Sequence, residues 1–146
     1  MNKLVEQVSK IRSEFSHKWG KISIKEILTF GPLDYLYEDR KRDLVQSIII
    51  ERIFANLELP PLYMRRELLD IDVFRGDELI IPILRFYDDK LKLEGLDLLT
   101  ELEGFTYSKL PTELQDKFLS HNLDTMEFHP DIELDHIGYL GVHYNE

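Results

Sequence analysis

The sequence predicts an α+β fold, a small mixed sheet packed with helices in one domain. Three observations predict it. The 146 residues are enough for one core, and 43% of them are hydrophobic, so a packed chain is expected rather than disorder. Apolar residues recur at helical spacing in some segments and at alternate positions in others. The two kinds of segment follow one another without the regular strand–helix alternation of a doubly wound sheet.

The first element is a helix. Leu4, Val8, Ile11, Phe15 and Trp19 fall on one helical face, and Gly20 follows as a stop, so residues 1–20 are expected as an N-terminal helix and 21–146 as the globular unit. Ser23 and Glu26 have the spacing of a capping box and open a short helix expected to reach Phe30. Residues 43–56 form the third helix, with Leu44, Ile48 and Phe54 expected inward. Pro60 and Pro61 end it, and Leu62–Met64 then reads as a strand.

Ile71, Val73 and Phe74 read as the next strand, Gly76 as a turn, and Leu79–Asp88 as a helix with Pro82 in its first turn, where a missing N–H is not felt. Leu91 and Leu93 flank Lys92 as in a strand edge, and Leu98–Leu102 is short and alternately apolar. Pro111 opens a helix holding Leu114, Phe118 and Leu119, with His121 at its end. Leu123–Phe128 alternates as a strand, and Asp131–Leu140 is expected as a last helix.

Charge and composition narrow the function. Net charge is −10, divided as +3 over residues 1–66 and −13 over residues 67–146. An acidic second half argues against a general polyanion-binding surface, so direct DNA binding is expected to be weak or absent. Arg40, Lys41 and Arg42 are the candidate phosphate or partner contacts, weighed against an ordinary solvated surface. There is no cysteine, hence no disulfide framework and no thiol nucleophile. No apolar run approaches the roughly 20 residues of a membrane span. The N-terminus lacks the apolar core of a signal peptide, so a cytoplasmic setting is expected.

Two clusters invite a metal. Asp70, Asp72, Asp77 and Glu78 crowd nine positions, and a hard dication needs only one or two carboxylates. His129, His136 and His143 are spaced by seven among Asp131, Glu133 and Asp135. Helical His pairs that bind metal stand three or four apart, so the histidines are read as surface or core residues. Acidic residues crowd by chance in so acidic a segment, so the carboxylates are read as a solvated surface, and no metal and no cofactor are expected. No Walker, dinucleotide or nucleophile-elbow motif is present.

The segments ERIFANLELPPLYMR (51–65), DVFRGDELIIPILRFYDDKLKLEGL (72–96) and GFTYSKLPTELQDKFLSHNLDTMEFHPDIE (104–133) resemble the N-terminal domain of GmrSD-type restriction enzymes, within the ParB/sulfiredoxin-like group. SIKEIL (23–28) and RKRDLVQS (40–47) are similar to that family's opening helix and to its YQRDLVWS stretch. The resemblance implies a bacterial or phage-infected host cell and a turn, DGQQR in the family, that takes part in nucleotide hydrolysis and, in some members, nuclease activity. On this chain the turn falls on Arg75, Gly76, Asp77, Glu78 and Leu79, and only the glycine matches. A phosphate-pairing arginine has become Leu79, and a carboxylate suited to a metal or a water has become Arg75.

The expected function is therefore a catalytically degenerate binding or regulatory module with no catalytic residue. Its expected partner is a protein, the basic surface of a restriction or other DNA-processing complex, and its source a phage or mobile element. The alternatives are a metal-dependent nucleotidase or nuclease rebuilt around Asp77 and Glu78, and an acidic DNA-mimic inhibitor.

Overall fold

Asn2 begins the first element by local chemistry: its side-chain oxygen accepts from the Leu4 N–H at 2.9 Å, filling one donor that a helix start leaves open. In a computed structural model, which describes residues 2–29, 43–66, 71–133 and 136, α1 runs Lys3–Glu14. It ends five residues short of Trp19. Residues His17–Ser23 form strand β1 instead, so Trp19 and Gly20 lie in a sheet, and Gly20 is not a helix stop. The helical period holds through Ile11, but Leu4, Val8 and Ile11 are exposed, and no residue of α1 is buried.

The remaining elements are α2 (Ile24–Ile27), α3 (Asp43–Phe54), β2 (Leu62–Arg66), β3 (Ile71–Arg75), α4 (Asp77–Tyr87), α5 (Thr112–Ser120) and β4 (Asn122–Phe128). The architecture is α+β with a small mixed sheet, in strand order β1-β4-β2-β3. Strand β2 pairs parallel with β4, setting Leu62 opposite Thr125 and Tyr63 opposite Met126. It pairs antiparallel with β3, where the register shifts from Tyr63–Arg75 to Met64–Val73, so Phe74 is the extra residue of a bulge. Leu62, Tyr63 and Met64 are all buried, as expected of a central strand covered on both faces.

The chain divides into two compact units, Met1–Lys21 with Pro61–Gly76 and Asp124–Glu146, and Ile22–Pro60 with Asp77–Leu123. In the first, Tyr63 and Phe128 of the sheet cluster with Ile132 of the segment after β4, and Phe15, Phe74 and Met126 pack against them. A Cβ on Gly76 would lie 2.3 Å from Leu62 Cδ2, and its φ of +127° is one that side chains rarely adopt, so the residue after β3 is held to glycine twice over.

In the second unit Ser23 Oγ accepts from the Glu26 N–H at 3.1 Å, as its sequence position predicts. Helix α2 stops at Ile27 rather than reaching Phe30, which lies outside the described residues along with the candidate contacts Arg40, Lys41 and Arg42. Helix α3 turns a different face inward from the one its aliphatic residues predict. Ser47, Ile50, Glu51 and Ile53 are buried; of the three residues expected inward, Phe54 packs on Phe118 and Phe86, whereas Leu44 and Ile48 are exposed. The polar pair explains the rotation. Glu51 accepts from the Leu98 and Leu99 N–H groups, both at 2.8 Å, and Ser47 Oγ accepts from the Glu94 N–H at 3.1 Å. These side chains satisfy a connection that has no strand partner of its own. Asn56, at φ 56°, closes the helix, with the Leu57 N–H reaching back to the Arg52 carbonyl.

Helix α4 begins two residues before the predicted start, so Pro82 sits inside it and not in its first turn. Pro82 is buried with Leu79, Ile80, Ile83 and Phe86. The packing of that face holds the proline in a place that costs a backbone hydrogen bond. Phe86 meets Phe118 and Tyr107 edge-on, at 5.3 and 5.9 Å between ring centres, and Phe54 stacks on Phe118 at 5.7 Å. Leu91 and Leu93 are buried and Lys92 exposed, as the alternation predicts, but the segment is not a strand. It is held by the pair of bonds Leu93 N–H to Phe105 carbonyl and Gly104 N–H to Leu93 carbonyl. Thr100–Leu102 is a turn of 3₁₀ helix.

Candidate functional site

The turn that the sequence singles out is built mainly of folding groups. In the first unit the Arg75 guanidinium lies 5.3 Å from the centre of the Tyr63 ring, a cation–π distance, and Gly76 makes the bend. In the second unit Leu79 is 2% exposed and belongs to the core. Asp77 and Glu78 occupy the first turn of α4, where open N–H groups favour negative charge. Burial, and then the neighbouring charge of Glu78, push the Asp77 carboxyl above the usual range.

The acidic cluster around this turn is not assembled among the described residues. Asp72 Oδ2 accepts from Arg65 Nε at 2.9 Å, and Asp70 lies outside them. Arg65 also donates to the Pro130 and Ile132 carbonyls, both at 3.3 Å. This ties the segment after β4 to the sheet.

A second constellation lies in the first unit. Glu14 closes α1, and its Oε2 accepts from the Glu133 N–H at 3.1 Å and contacts His136 Nδ1. The Glu14 side chain is only 10% exposed. The His136 contact, offset in part by burial and helped by the Glu133 N–H, holds its carboxyl below the usual range. The Phe15 ring packs on His136 at 5.5 Å. One ligand atom from each of Glu14, Glu133 and His136 lies within 4.8 Å of the others. Among the described residues this is the group whose geometry could hold a metal ion. The sequence spaces His129, His136 and His143 by seven and gives them no common site. The structure instead joins His136 to Glu133 three residues before it and to Glu14 at the far end of the chain, and His143 lies outside the described residues. The Glu133–His136 spacing was the visible half of the signal.

The first unit also holds an open cleft of about 390 Å³, lined by Ser16, His17, Lys18, Arg66, Glu127, Phe128, His129 and Pro130. Arg66 pairs with Glu127 across its wall, and the His17 ring packs on Phe128 at 5.3 Å. No helix among the described residues is long and apolar enough to cross a membrane. In comparisons with known proteins, no family model, curated protein or solved structure matches this chain.

Proposed function

We propose that the chain is a catalytically degenerate relative of the domain that opens GmrSD-type restriction enzymes. It acts as a binding or regulatory module, encoded by a phage or mobile element, for a basic protein surface in a restriction or other DNA-processing complex. One observation carries the loss of catalysis. Of the five residues on the family's reactive turn, Arg75 lies on Tyr63, Gly76 supplies a positive φ, and Leu79 is buried. These groups serve folding, and a buried leucine cannot neutralise phosphate. The purified protein is expected to show no hydrolysis of ATP or GTP and no cleavage of DNA with Mg²⁺ or Mn²⁺.

A second reading has its own support. Asp77 and Glu78 are adjacent carboxylates at one helix start, and burial, with the charge of Glu78, raises the Asp77 carboxyl, a perturbation met often at functional sites. A metal-dependent nucleotidase or nuclease would use them. Turnover that needs a dication and disappears in Asp77→Ala or Glu78→Ala would replace the first reading with this one.

A further inference from the structure

We propose that Glu14, Glu133 and His136 form a binding site for a zinc-type dication that ties the end of α1 to the segment following β4. The chemistry of the donors comes first. One imidazole nitrogen with two carboxylate oxygens suits Zn²⁺, Co²⁺ or Ni²⁺, while Mg²⁺ and Ca²⁺ prefer oxygen alone. Three protein ligands with a water in the fourth position is a common zinc arrangement.

Geometry comes next. Ligand atoms around a tetrahedral zinc stand roughly 3.3 Å apart, given bonds of about 2.0–2.1 Å. The three groups already lie within 4.8 Å of one another. Glu133 is exposed, so rotation of its side chain can bring its carboxylate to bonding distance. The ion would enter between Glu14 and His136, replacing their direct contact.

Two further features favour a cation here. Glu14 is the last residue of α1, where the carbonyl end of the helix disfavours a carboxylate unless positive charge stands beside it. Two of the ligands are also oriented from outside: the Glu133 N–H donates to Glu14 Oε2, and the Phe15 ring packs on the His136 imidazole. Such second contacts fix the direction of metal ligands.

An ion pair alone would explain Glu14 and His136, but it gives the Glu133 carboxylate no part. Glu133→Gln therefore separates the two cases, because it leaves the backbone N–H, Glu14 and His136 in place. Calorimetric titration of the full chain with Zn²⁺ is expected to give one equivalent bound and a rise in melting temperature that grows with free zinc. Glu133→Gln is expected to lower the affinity at least tenfold, and His136→Ala to abolish binding. His129→Ala, which alters a histidine outside the group, is expected to leave it unchanged. Co²⁺ should give the visible absorption of a tetrahedral site in the wild type and lose it in Glu133→Gln, while Mg²⁺ should not compete. Absence of one-to-one binding, or zinc affinity unaffected by Glu133→Gln, would overturn the proposal.

Discussion

Gly76 is the residue at which the fold leaves least choice. A side chain there would be strained by a φ of +127° and would meet Leu62 Cδ2 at 2.3 Å, and Leu62 is fully buried. Backbone strain of this kind costs about 1–3 kcal/mol, and the collision adds to it. Gly104 offers a control, since its φ is +84° but the nearest atom to an added Cβ is Lys92 Cε at 3.9 Å. Gly76→Ala is expected to lower the urea midpoint clearly more than Gly104→Ala, because its φ lies farther from the left-handed helical region and its added Cβ meets Leu62. Equal effects would show that the strain and the contact are both relieved easily. Glu51 is the second such residue. Burial alone would raise its carboxyl, but N–H groups of Leu99, Leu98 and Asp97 outweigh burial and hold it below the usual range. A carboxyl lowered on folding stabilises the folded chain above its unfolded value of about 4.3 and loses that contribution as pH falls through the folded value. Glu51→Ala is expected to cost about 1–3 kcal/mol at pH 7 by leaving buried N–H groups unpaired. The gap between wild type and Glu51→Gln should narrow in denaturation curves taken at pH 3. A gap that widens in acid would contradict the assignment.

Helix α3 shows how an element can be read correctly in kind and wrongly in orientation. Its limits follow from the sequence, with Asp43 at the start and Asn56 taking the left-handed turn at the end. Its buried face does not, because Ser47 and Glu51 look like surface residues until their backbone partners, nearly fifty positions away, are in place. Ile50→Ala is therefore expected to cost about 2–5 kcal/mol, as for a fully buried aliphatic side chain, and Ile48→Ala less than about 1 kcal/mol. Thermal unfolding of the two variants would test the orientation, and the reverse order would restore the face that aliphatic spacing predicts. The same limit explains the other differences. Strands β2, β3 and β4 and helix α5 were legible because each carries its own apolar alternation or its own start signal. The end of α1 was not, since Phe15 and Trp19 continue the helical period while the chain itself turns into a strand beside β4. Arg85 was hidden in the same way. It is 4% exposed and donates to Asp43 at 2.9 Å, to Gln46 and to the Lys90 carbonyl at 3.0 Å. A charge inside a helix reads as exposed until its partners are seen. At the candidate sites, Gly76 announced its turn, but Glu14 gave no sign of His136, 122 positions away.

At the scale of the whole chain the dominant feature is charge, −10 in total and concentrated in the second half. Copies of such a chain repel one another, so the proposed partner is a different molecule with a basic surface. The acidic residues are not equally suited to meet it. Asp72 is engaged by Arg65, and Asp77 begins α4, so reversing either would disturb the fold as well as the surface. Asp97 and Glu101 are exposed, on the connection between α4 and α5, and neither lies in a helix longer than one turn. They are the better test. Contacts of this kind speed association and weaken with salt, because charges are screened over about 8 Å at physiological ionic strength. Binding of a basic partner, captured with the purified chain from its native host and then isolated, is expected to fall steeply between low and physiological salt. The association rate should fall while dissociation changes less. The double variant Asp97→Lys, Glu101→Lys should reproduce part of that loss at low salt, with its melting temperature near that of the wild type because the two side chains are on the surface. Binding indifferent to both salt and charge reversal would remove the acidic face from the interface. It would turn attention to the exposed Leu4, Val5, Val8 and Ile11 of α1, whose apolar contacts salt does not weaken.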